Sequence, residues 1–357
     1  MRTRVLSAAE RPAAKAVWTA LQEQIQAPGM MCSWEWTGTW LEHYADAVAH
    51  RFVVGEDERG VRGIALVVEQ RVGPARPPTI ALGTAGEPPG SSVYVERNQL
   101  LVRPDDRAAF AAALLVELAR DRRWHRLRLD GMVPDDAELI VEGRHGVRRR
   151  VEQSPVANLA TGDADDPLGS LPSATRRRVR KSLERLGPLE TEWAETDPVA
   201  REILGQLAEL HQAHWRAQGE PGAFASGRFS RFHFDLVGQL VPMRRAALFR
   251  VRRQGTTIAC LYGLIEGTRI LFYQSGLLRH DDNRIRVGLA AHALFMQACR
   301  EHGLATYEFL PPPARYKREL APECEPLVWI ELDRPGLRLY FEKTARSAKR
   351  RLRSVRS

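Results

Sequence analysis

The stretch TTIACLYGLIEGTRILFYQSGLLRHDDNRIRVGLAAHALFMQACREHGLATYEFL, residues 256–310, decides the fold. Its two apolar runs, 256–267 and 268–276, are typical of strands. Residues 287–302 then place apolar side chains at helical spacing, and Gly303 ends that helix. Residues 305–310 return as a strand. The order strand, strand, helix, strand indicates an α/β unit.

The rest of the second half extends this unit in both directions. Upstream, the pattern predicts a helix that Ser173 caps and that Gly187 and Pro188 end, followed by further helices and one strand. The further helices are 203–218 and 229–240, and the strand 246–254 meets the next strand at Gly255. Downstream, the pattern predicts a short helix within 311–320, a strand over 327–332 and a basic helix at the end.

The first half repeats the same order of elements. Its pattern predicts helices over 18–25 and 36–48, a β-hairpin of 51–56 and 63–72, a strand over 94–102, a helix over 108–124 and a strand over 125–132. A stretch rich in Gly, Pro and Asp, residues 160–173, is typical of a linker. We therefore predict an α/β (α+β) protein of two consecutive domains, 1–160 and 161–357.

Composition places the chain among folded proteins. Its 357 residues exceed one ordinary domain, and 44% hydrophobic with 27% charged residues excludes a wholly disordered chain. Every apolar stretch is too short to span a membrane, and charges interrupt the start where a secretion signal needs an apolar run, so we expect a cytoplasmic protein. Four separated cysteines indicate neither a zinc site nor a disulfide framework.

The net charge of +9 is concentrated in two places. Residues 346–357 carry six basic residues and no acid, which leaves +3 for the rest of the chain. Residues Arg176–Arg185 carry six more basic residues and one acid. Such clusters are either solvated surface or a site for phosphate, nucleic acid or another anionic partner.

Several strings together resemble one family. RRRVRKSLERL (176–186), HQAHWRAQGEPGAFAS (211–226), residues 256–276, RVGLAAHALFMQACREHG (286–303) and ATYEFLPPPARYKREL (305–320) look like the CelD-like branch of the GNAT superfamily of N-acyltransferases. This branch is related to the Fem-type aminoacyl transferases. The resemblance implies two tandem GNAT-like domains, each a mixed, mostly antiparallel sheet flanked by helices.

The resemblance also implies acetyl-CoA or another acyl-CoA as co-substrate and an amine as acceptor. The GNAT cofactor motif Q/R-x-x-G-x-G/A corresponds to residues 285–290, with the basic residue at 286. A helix N-terminus there would bind pyrophosphate through unpaired backbone N–H groups. The residues expected to bind the cofactor are Gly276, Arg284, Arg286, Val287, Gly288, Leu289 and Ala290. Asp281 and Asp282 would oppose a phosphate unless they pair with the arginines or cap the helix.

Acyl transfer to an amine requires a base, an oxyanion donor and an acid for the thiolate. We expect Glu308 as base with a raised pKa in a half-buried strand and the backbone at Ser275 as oxyanion donor, and the resemblance implies Tyr316 as acid. Each also has a purely structural interpretation. The predicted substrate contacts are His211, His214, Trp215, Phe224, Tyr273, Gln274 and Lys317, with Phe229 and Phe232 as further aromatic wall or core.

Three functions remain open on the sequence alone. The leading one is an acyl-CoA-dependent N-acyltransferase, which we expect to be an acetyltransferase acting on an amine of a small molecule, sugar or peptide. The second is a Fem-type transferase that uses aminoacyl-tRNA, with Arg176–Arg185 and the basic tail as RNA surface. The third is a non-catalytic scaffold for nucleic acid or an anionic partner. No metal site is expected, because His211 and His214 lack a third ligand at matching spacing.

Overall fold

The computed structural model describes residues 1–25, 28–70, 78–160, 171–280, 282 and 284–334. The helices within these ranges are α1 (Arg11–Glu23), α2 (Trp34–Tyr44), α3 (Arg107–Arg120), α4 (Pro134–Val141), α5 (Ser173–Leu186), α6 (Asp197–Arg216), α7 (Gly227–Leu240), α8 (Val287–Glu301) and α9 (Arg315–Leu320). The predicted basic helix at the C-terminus lies outside the described residues.

The strands form one continuous sheet of 13 strands within the described residues. Those of the first half are β1 (Arg2–Ser7), β2 (Ala49–Asp57), β3 (Gly60–Gln70), β4 (Thr79–Leu82), β5 (Leu101–Val102), β6 (Arg126–Met132) and β7 (Val147–Asn158). Those of the second half are β8 (Glu190–Trp193), β9 (Ala246–Arg253), β10 (Thr256–Glu266), β11 (Arg269–Leu277), β12 (Thr306–Glu308) and β13 (Glu323–Asp333).

The sheet contains the same arrangement twice. The strand order is β1-β2-β3-β4-β6-β13-β7-β12-β11-β10-β9-β8, with β5 beside β3. Each half has an antiparallel series that ends in a parallel pair, β4 with β6 and β11 with β12. A helix joins the members of each pair, α3 in the first half and α8 in the second. The prediction of two tandem α/β units is confirmed.

The two halves exchange their last strands. β13, at the end of the second half, pairs with β6 and β7, whereas β7, at the end of the first half, pairs with β12. The predicted division at residue 160 therefore falls in the connection after β7, but the sheet runs through it. Neither β7 nor the inserted position of β13 follows from the sequence pattern.

Helices cover both faces of the sheet. One face carries a joint layer of α1, α2, α6 and α7, whose apolar side chains form one core that includes Trp36, Trp40 and Phe232. The rings of Trp36 on α2 and Phe232 on α7 meet edge to face at 5.0 Å, so this core joins the two halves. The other face carries α3 and α4 over the first half, and α5, α8 and α9 over the second.

Two local expectations need correction, and several elements were missed. The predicted strand over 94–102 is irregular except for β5, because Tyr94 and Arg97 have positive φ angles of 32° and 62°. Strands β1, β4 and β8 and helix α4 were not predicted. Ser173 is the first residue of α5 and its side chain makes no cap, since Pro172 occupies the capping position. The C-terminal end of α5 is as predicted, with Gly187 at φ 72°.

Candidate functional site

The central strands β11 and β12 separate after a short parallel pairing. Only three residue pairs join them, from Arg269 with Thr306 to Leu271 with Glu308. Beyond that point β11 continues to Leu277 and contains a β-bulge in its pairing with β10. Phe272 lies opposite Gly263 and Gln274 lies opposite Tyr262, so Tyr273 is the extra residue. We call the opening between residues 273–277 and 309–310 the split.

Lys317 on α9 stabilises one wall of the split. Its ammonium donates hydrogen bonds to the carbonyl oxygens of Phe309 (2.9 Å) and Leu310 (2.7 Å). These carbonyls lie beyond the last pairing between β11 and β12, and Leu310 has a φ of 54° where the chain turns away. The side chain is buried, and burial lowers the pKa of Lys317 to about 8. Lys317, expected to contact substrate, thus has a structural role at this wall.

The N-terminus of α8 lies next to the split. Among the described residues, the backbone N–H groups of Val287, Gly288 and Leu289 have no acceptor, and Arg286 at the capping position makes no side-chain cap. A Cβ atom on Gly288 would lie 3.0 Å from a methyl group of Leu277, the last residue of β11. Unpaired N–H groups at a helix N-terminus are what a pyrophosphate requires.

The remaining residues predicted for cofactor binding have different surroundings. Leu289 and Ala290 are buried in the core, and Arg286 is exposed. Arg284 forms an ion pair of 2.9 Å with Asp282, and this hydrogen bond lowers the pKa of Asp282 to about 2. The alternative in which this acid neutralises an arginine is thus confirmed for Asp282, whereas Asp281 lies outside the described residues.

Helix α5 places its basic residues beside the same entry. Val179 and Leu186 are buried against the sheet, as their spacing predicts. Ser182 accepts a hydrogen bond of 3.4 Å from the Arg286 N–H, and Arg185 donates one of 3.2 Å to the Arg284 carbonyl. Arg178 pairs at 2.8 Å with Glu319 on α9. The second basic cluster, 346–357, lies outside the described residues.

Tyr316 lies on α9, on the same side of the sheet as α8. Its ring stacks on His292 of α8 with centroids 5.5 Å apart, and it meets Phe309 edge to face at 6.1 Å. The residue is 37% exposed, and its hydroxyl has no hydrogen-bond partner among the described residues. Partial burial raises the pKa of Tyr316 to about 12. The hydroxyl is therefore protonated at neutral pH and free to donate a proton.

The end of β11 differs from the expectation of freely available oxyanion donors. The Ser275 N–H donates a hydrogen bond of 3.1 Å to the side-chain oxygen of Gln274. This bond would have to break before the Ser275 N–H could bind an oxyanion. Gly276 is required for packing, because a Cβ there would lie 2.4 Å from the Leu207 carbonyl on α6.

Two residues predicted as base and substrate contact join the halves of the molecule instead. Glu308 is fully buried, not half-buried, and accepts hydrogen bonds from Ser154 (2.8 Å), Arg269 (2.7 Å) and Arg97 (3.2 Å). Two arginines neutralise it, which favours a structural role. The Tyr273 hydroxyl donates to the Val93 carbonyl at 2.5 Å.

The two histidines of α6 differ in burial. His211 is buried and accepts a hydrogen bond of 2.9 Å from the Trp215 indole, and its ring packs against Phe224 at 5.3 Å. Burial lowers the pKa of His211. His214 is exposed, and its ring meets that of Trp215 edge to face at 5.8 Å. Phe229 and Phe232 are buried in the core. Within the described ranges, no group of three or more His, Cys, Asp or Glu side chains is placed to hold a metal ion.

Sequence reasoning missed an open cavity of about 720 Å³ on the face of the sheet opposite to α3, α4 and α8. The loop of residues 84–96 lines it together with β6, β7, β13 and Pro312, the second proline after β12 and Leu310. Glu96 lies in its wall. No spacing in the sequence links residues 84–96 to β12, so only the fold brings them together.

Comparison with known proteins gives a family for one region and a fold for the chain. Residues 173–318 match the family model described as an acetyltransferase (GNAT) domain. No curated protein matches the sequence significantly. The crystal structure of FemX aligns with 92% of this chain and 97% of its own, at a TM-score of 0.60 and 14% identity.

Two further solved structures share this fold. One is the C-terminal domain of a protein described as a lysylphosphatidylglycerol synthetase from Agrobacterium fabrum, with a TM-score of 0.57, 13% identity and coverage of 94% of this chain and 96% of that one. The other is L-PGS from Bacillus licheniformis, with a TM-score of 0.55, 12% identity and coverage of 94% and 96%. No described helix is long and apolar enough to cross a membrane. Residues 173–318 are thus similar to a GNAT acetyltransferase domain, and the chain as a whole has the GNAT/Fem-like fold that it shares with these solved structures.

Proposed function

We propose that this protein is an acyl-CoA-dependent N-acyltransferase, and specifically an acetyltransferase acting on an amine. The observation that carries the proposal is the split between β11 and β12 next to the unpaired N–H groups of α8. A pyrophosphate at the helix N-terminus and a pantetheine arm in the split would bring the thioester to the centre of the sheet.

The acid for the reaction is Tyr316 in this proposal. The amine attacks the thioester carbonyl, the C–N bond forms and the C–S bond breaks, and the departing thiolate takes the proton of the Tyr316 hydroxyl. Tyr316 faces the side of the sheet from which the donor would enter, because its ring stacks on His292 of α8. Solvent returns the proton to Tyr316, whose 37% exposure permits this.

One observation favours a second candidate, a Fem-type transferase that takes an aminoacyl group from tRNA. The basic helix α5 packs directly against the entry of α8, where a nucleic acid end would approach. This candidate uses the same split and the same acid, and differs only in the donor.

Donor binding separates the two candidates. Thermal unfolding is measured with acetyl-CoA, with a longer acyl-CoA and with tRNA at two salt concentrations, since a ligand that binds the native state raises its melting temperature. We expect stabilisation by acyl-CoA. If tRNA alone stabilises the protein, and if this effect falls steeply with salt and is lost on deletion of residues 344–357, the donor would be aminoacyl-tRNA and not acyl-CoA. Stabilisation by neither would contradict both.

A further inference from the structure

Residues 93–97, here called the bridging segment, cross the split on the side opposite to α8. At one end, the Val93 carbonyl accepts the hydrogen bond of Tyr273, the bulged residue of β11. At the other end, Arg97 pairs at 3.2 Å with Glu308, the last paired residue of β12. Val93 and Val95 are buried in the core shared with α6 and α7, whereas α8 and Tyr316 lie on the other side. The segment between these anchors therefore spans the opening.

Glu96 lies in this segment and differs from its charged neighbours. Arg97 forms ion pairs with Glu308 and, at 3.0 Å, with Glu325, but Glu96 has no hydrogen-bond or ion-pair partner among the described residues. It is close enough to Lys317 and Glu308 for their charges to act on it. Burial raises the pKa of Glu96 to about 7, with Glu308 acting in the same direction and Lys317 against it.

The cavity beside Glu96 has the size and charge for a cationic ligand. About 720 Å³ is within the range of small-molecule sites. Of its other charged groups, Arg128 pairs with Asp130 at 2.6 Å and Arg150 pairs with Glu152. Glu87 accepts a hydrogen bond of 2.8 Å from the Trp40 indole, and burial raises its pKa. Two carboxyl groups, Glu87 and Glu96, thus line the cavity without a cation bound to them.

We propose that this cavity is the acceptor site, that it takes a primary amine in its ammonium form, and that Glu96 is the catalytic base. The inference rests on the proposed acyl transfer. The ammonium gives one proton to the Glu96 carboxylate, the neutral nitrogen attacks the thioester carbonyl from the cavity side, and the C–S bond breaks as the C–N bond forms. The nitrogen loses its second proton to solvent, and the thiolate gains one from Tyr316. The products are an amide and a free thiol.

This arrangement places base and acid on opposite sides of the sheet, with the thioester between them. The amine and the donor then enter from different sides and do not compete for space. The carboxyl groups of Glu87 and Glu96 both attract the ammonium, but only Glu96 lies on the bridging segment, which crosses the split. Glu87 is accordingly a binding residue and Glu96 the base.

The first test uses the full chain without donor. Glucosamine, spermidine and a lysine-containing tripeptide are titrated by calorimetry, each beside its own N-acetylated form, whose modified nitrogen has lost its charge. We expect at least one amine to bind more than tenfold tighter than its acetylated form, and Glu96→Gln and Glu87→Gln to reduce that preference. Equal binding of every pair, or a preference unaffected by both variants, would overturn the acceptor site whether or not acetyl-CoA is the donor.

The second test measures thiol release from acetyl-CoA with the amine that binds best. Glu96→Gln should lower kcat by about 10² to 10⁴ and remove the rise of the parental rate through pH 7, with affinity for acetyl-CoA unchanged. Glu87→Gln should raise KM and keep that rise, and Glu23→Gln on the surface of α1 should behave like the parent. Normal acetyl-CoA binding and a parental pH profile in Glu96→Gln would overturn the base but keep the proposed function. Failure of the parent to bind acetyl-CoA would instead overturn the donor.

Discussion

At the residue scale, the surroundings of Tyr316 support its proposed role as acid. Its ring is held by His292 and Phe309, and burial raises its pKa to about 12, so the hydroxyl keeps its proton throughout the neutral range. Tyr316→Phe should therefore lower kcat by about 10² to 10⁴ with little change in acetyl-CoA affinity.

A second tyrosine provides the control. The Tyr307 hydroxyl bonds to His292 at 2.9 Å within the core. Tyr307→Phe removes a hydroxyl that bonds to the same histidine on which Tyr316 stacks, so it should lower the midpoint of urea unfolding and leave kcat near the parental value. A parental kcat in Tyr316→Phe would mean that water or another residue protonates the thiolate.

The unusual pKa of Glu96 also predicts a change in stability. A carboxyl group whose pKa is raised in the folded state keeps its proton to higher pH than in the unfolded chain, so folding loses stability as pH rises from about 4 to 7. Glu96→Gln should abolish this loss. Its melting temperature should exceed that of the parent above pH 7 and match it below about pH 4; a lower melting temperature at pH 8 would contradict the assigned environment.

Glu308 should prove important for stability and not for chemistry. Glu308→Gln removes a fully buried charge that pairs with Arg97 and Arg269, and should destabilise the protein by about 3 kcal/mol in urea unfolding. Glu325 pairs with the same two arginines but is 40% exposed, so Glu325→Gln should cost less than about 1 kcal/mol. Comparable losses in the two variants would argue against a special role for the buried position.

At the element scale, the entry of α8 allows a matched pair of variants. Gly288→Leu places a side chain where the pyrophosphate would bind, and should weaken acetyl-CoA binding by more than tenfold, about 1.4 kcal/mol. Gly205 lies in α6, and a Cβ there would meet no atom within 4 Å. Gly205→Leu makes the same substitution in another helix and should bind normally. If a folded Gly288→Leu protein binds acetyl-CoA with unchanged affinity, the N-terminus of α8 is not the pyrophosphate site.

The elements whose apolar residues recur at a clear period could be predicted from the sequence. The strands and helices that they pack against could not. Spacing identified α5, α6, α7 and α8, because their apolar residues recur at helical intervals. The hairpin at Gly255 was also predicted. The strand over 94–102 was wrong because alternating side chains in VYVERNQ are compatible with a strand, whereas contacts with Tyr273 and Glu308 hold this segment in another conformation.

The candidate site, too, could be predicted from the sequence only where the information is local. Tyr316 and the entry of α8 came from the resemblance carried by strings within 176–320, where the information is local. Glu96 did not, because its importance depends on anchors 180 and 211 residues away along the chain. Roles assigned from the local sequence, such as Glu308 as base and Lys317 as substrate contact, could not allow for the buried partners that the fold supplies.

At the scale of the whole molecule, the exchanged strands make the halves depend on each other. In a fragment of residues 161–357, β12 would lack β7, and β13 would lack both of its neighbours. We expect this fragment to be unfolded or aggregated by circular dichroism and NMR, and the full chain to unfold in one cooperative transition. A well-dispersed NMR spectrum of the fragment alone would show that the exchange is dispensable.

The central claim is that the donor crosses the sheet through the split and meets the acceptor at Glu96. A crystal structure of the full chain with acetyl-CoA tests it most directly. The account predicts the pyrophosphate on the backbone N–H groups of residues 287–289, the pantetheine between residues 273–277 and 309–310, and the acetyl group facing Glu96. Acetyl-CoA bound elsewhere, with the split closed and Glu96 distant from the thioester, would contradict it.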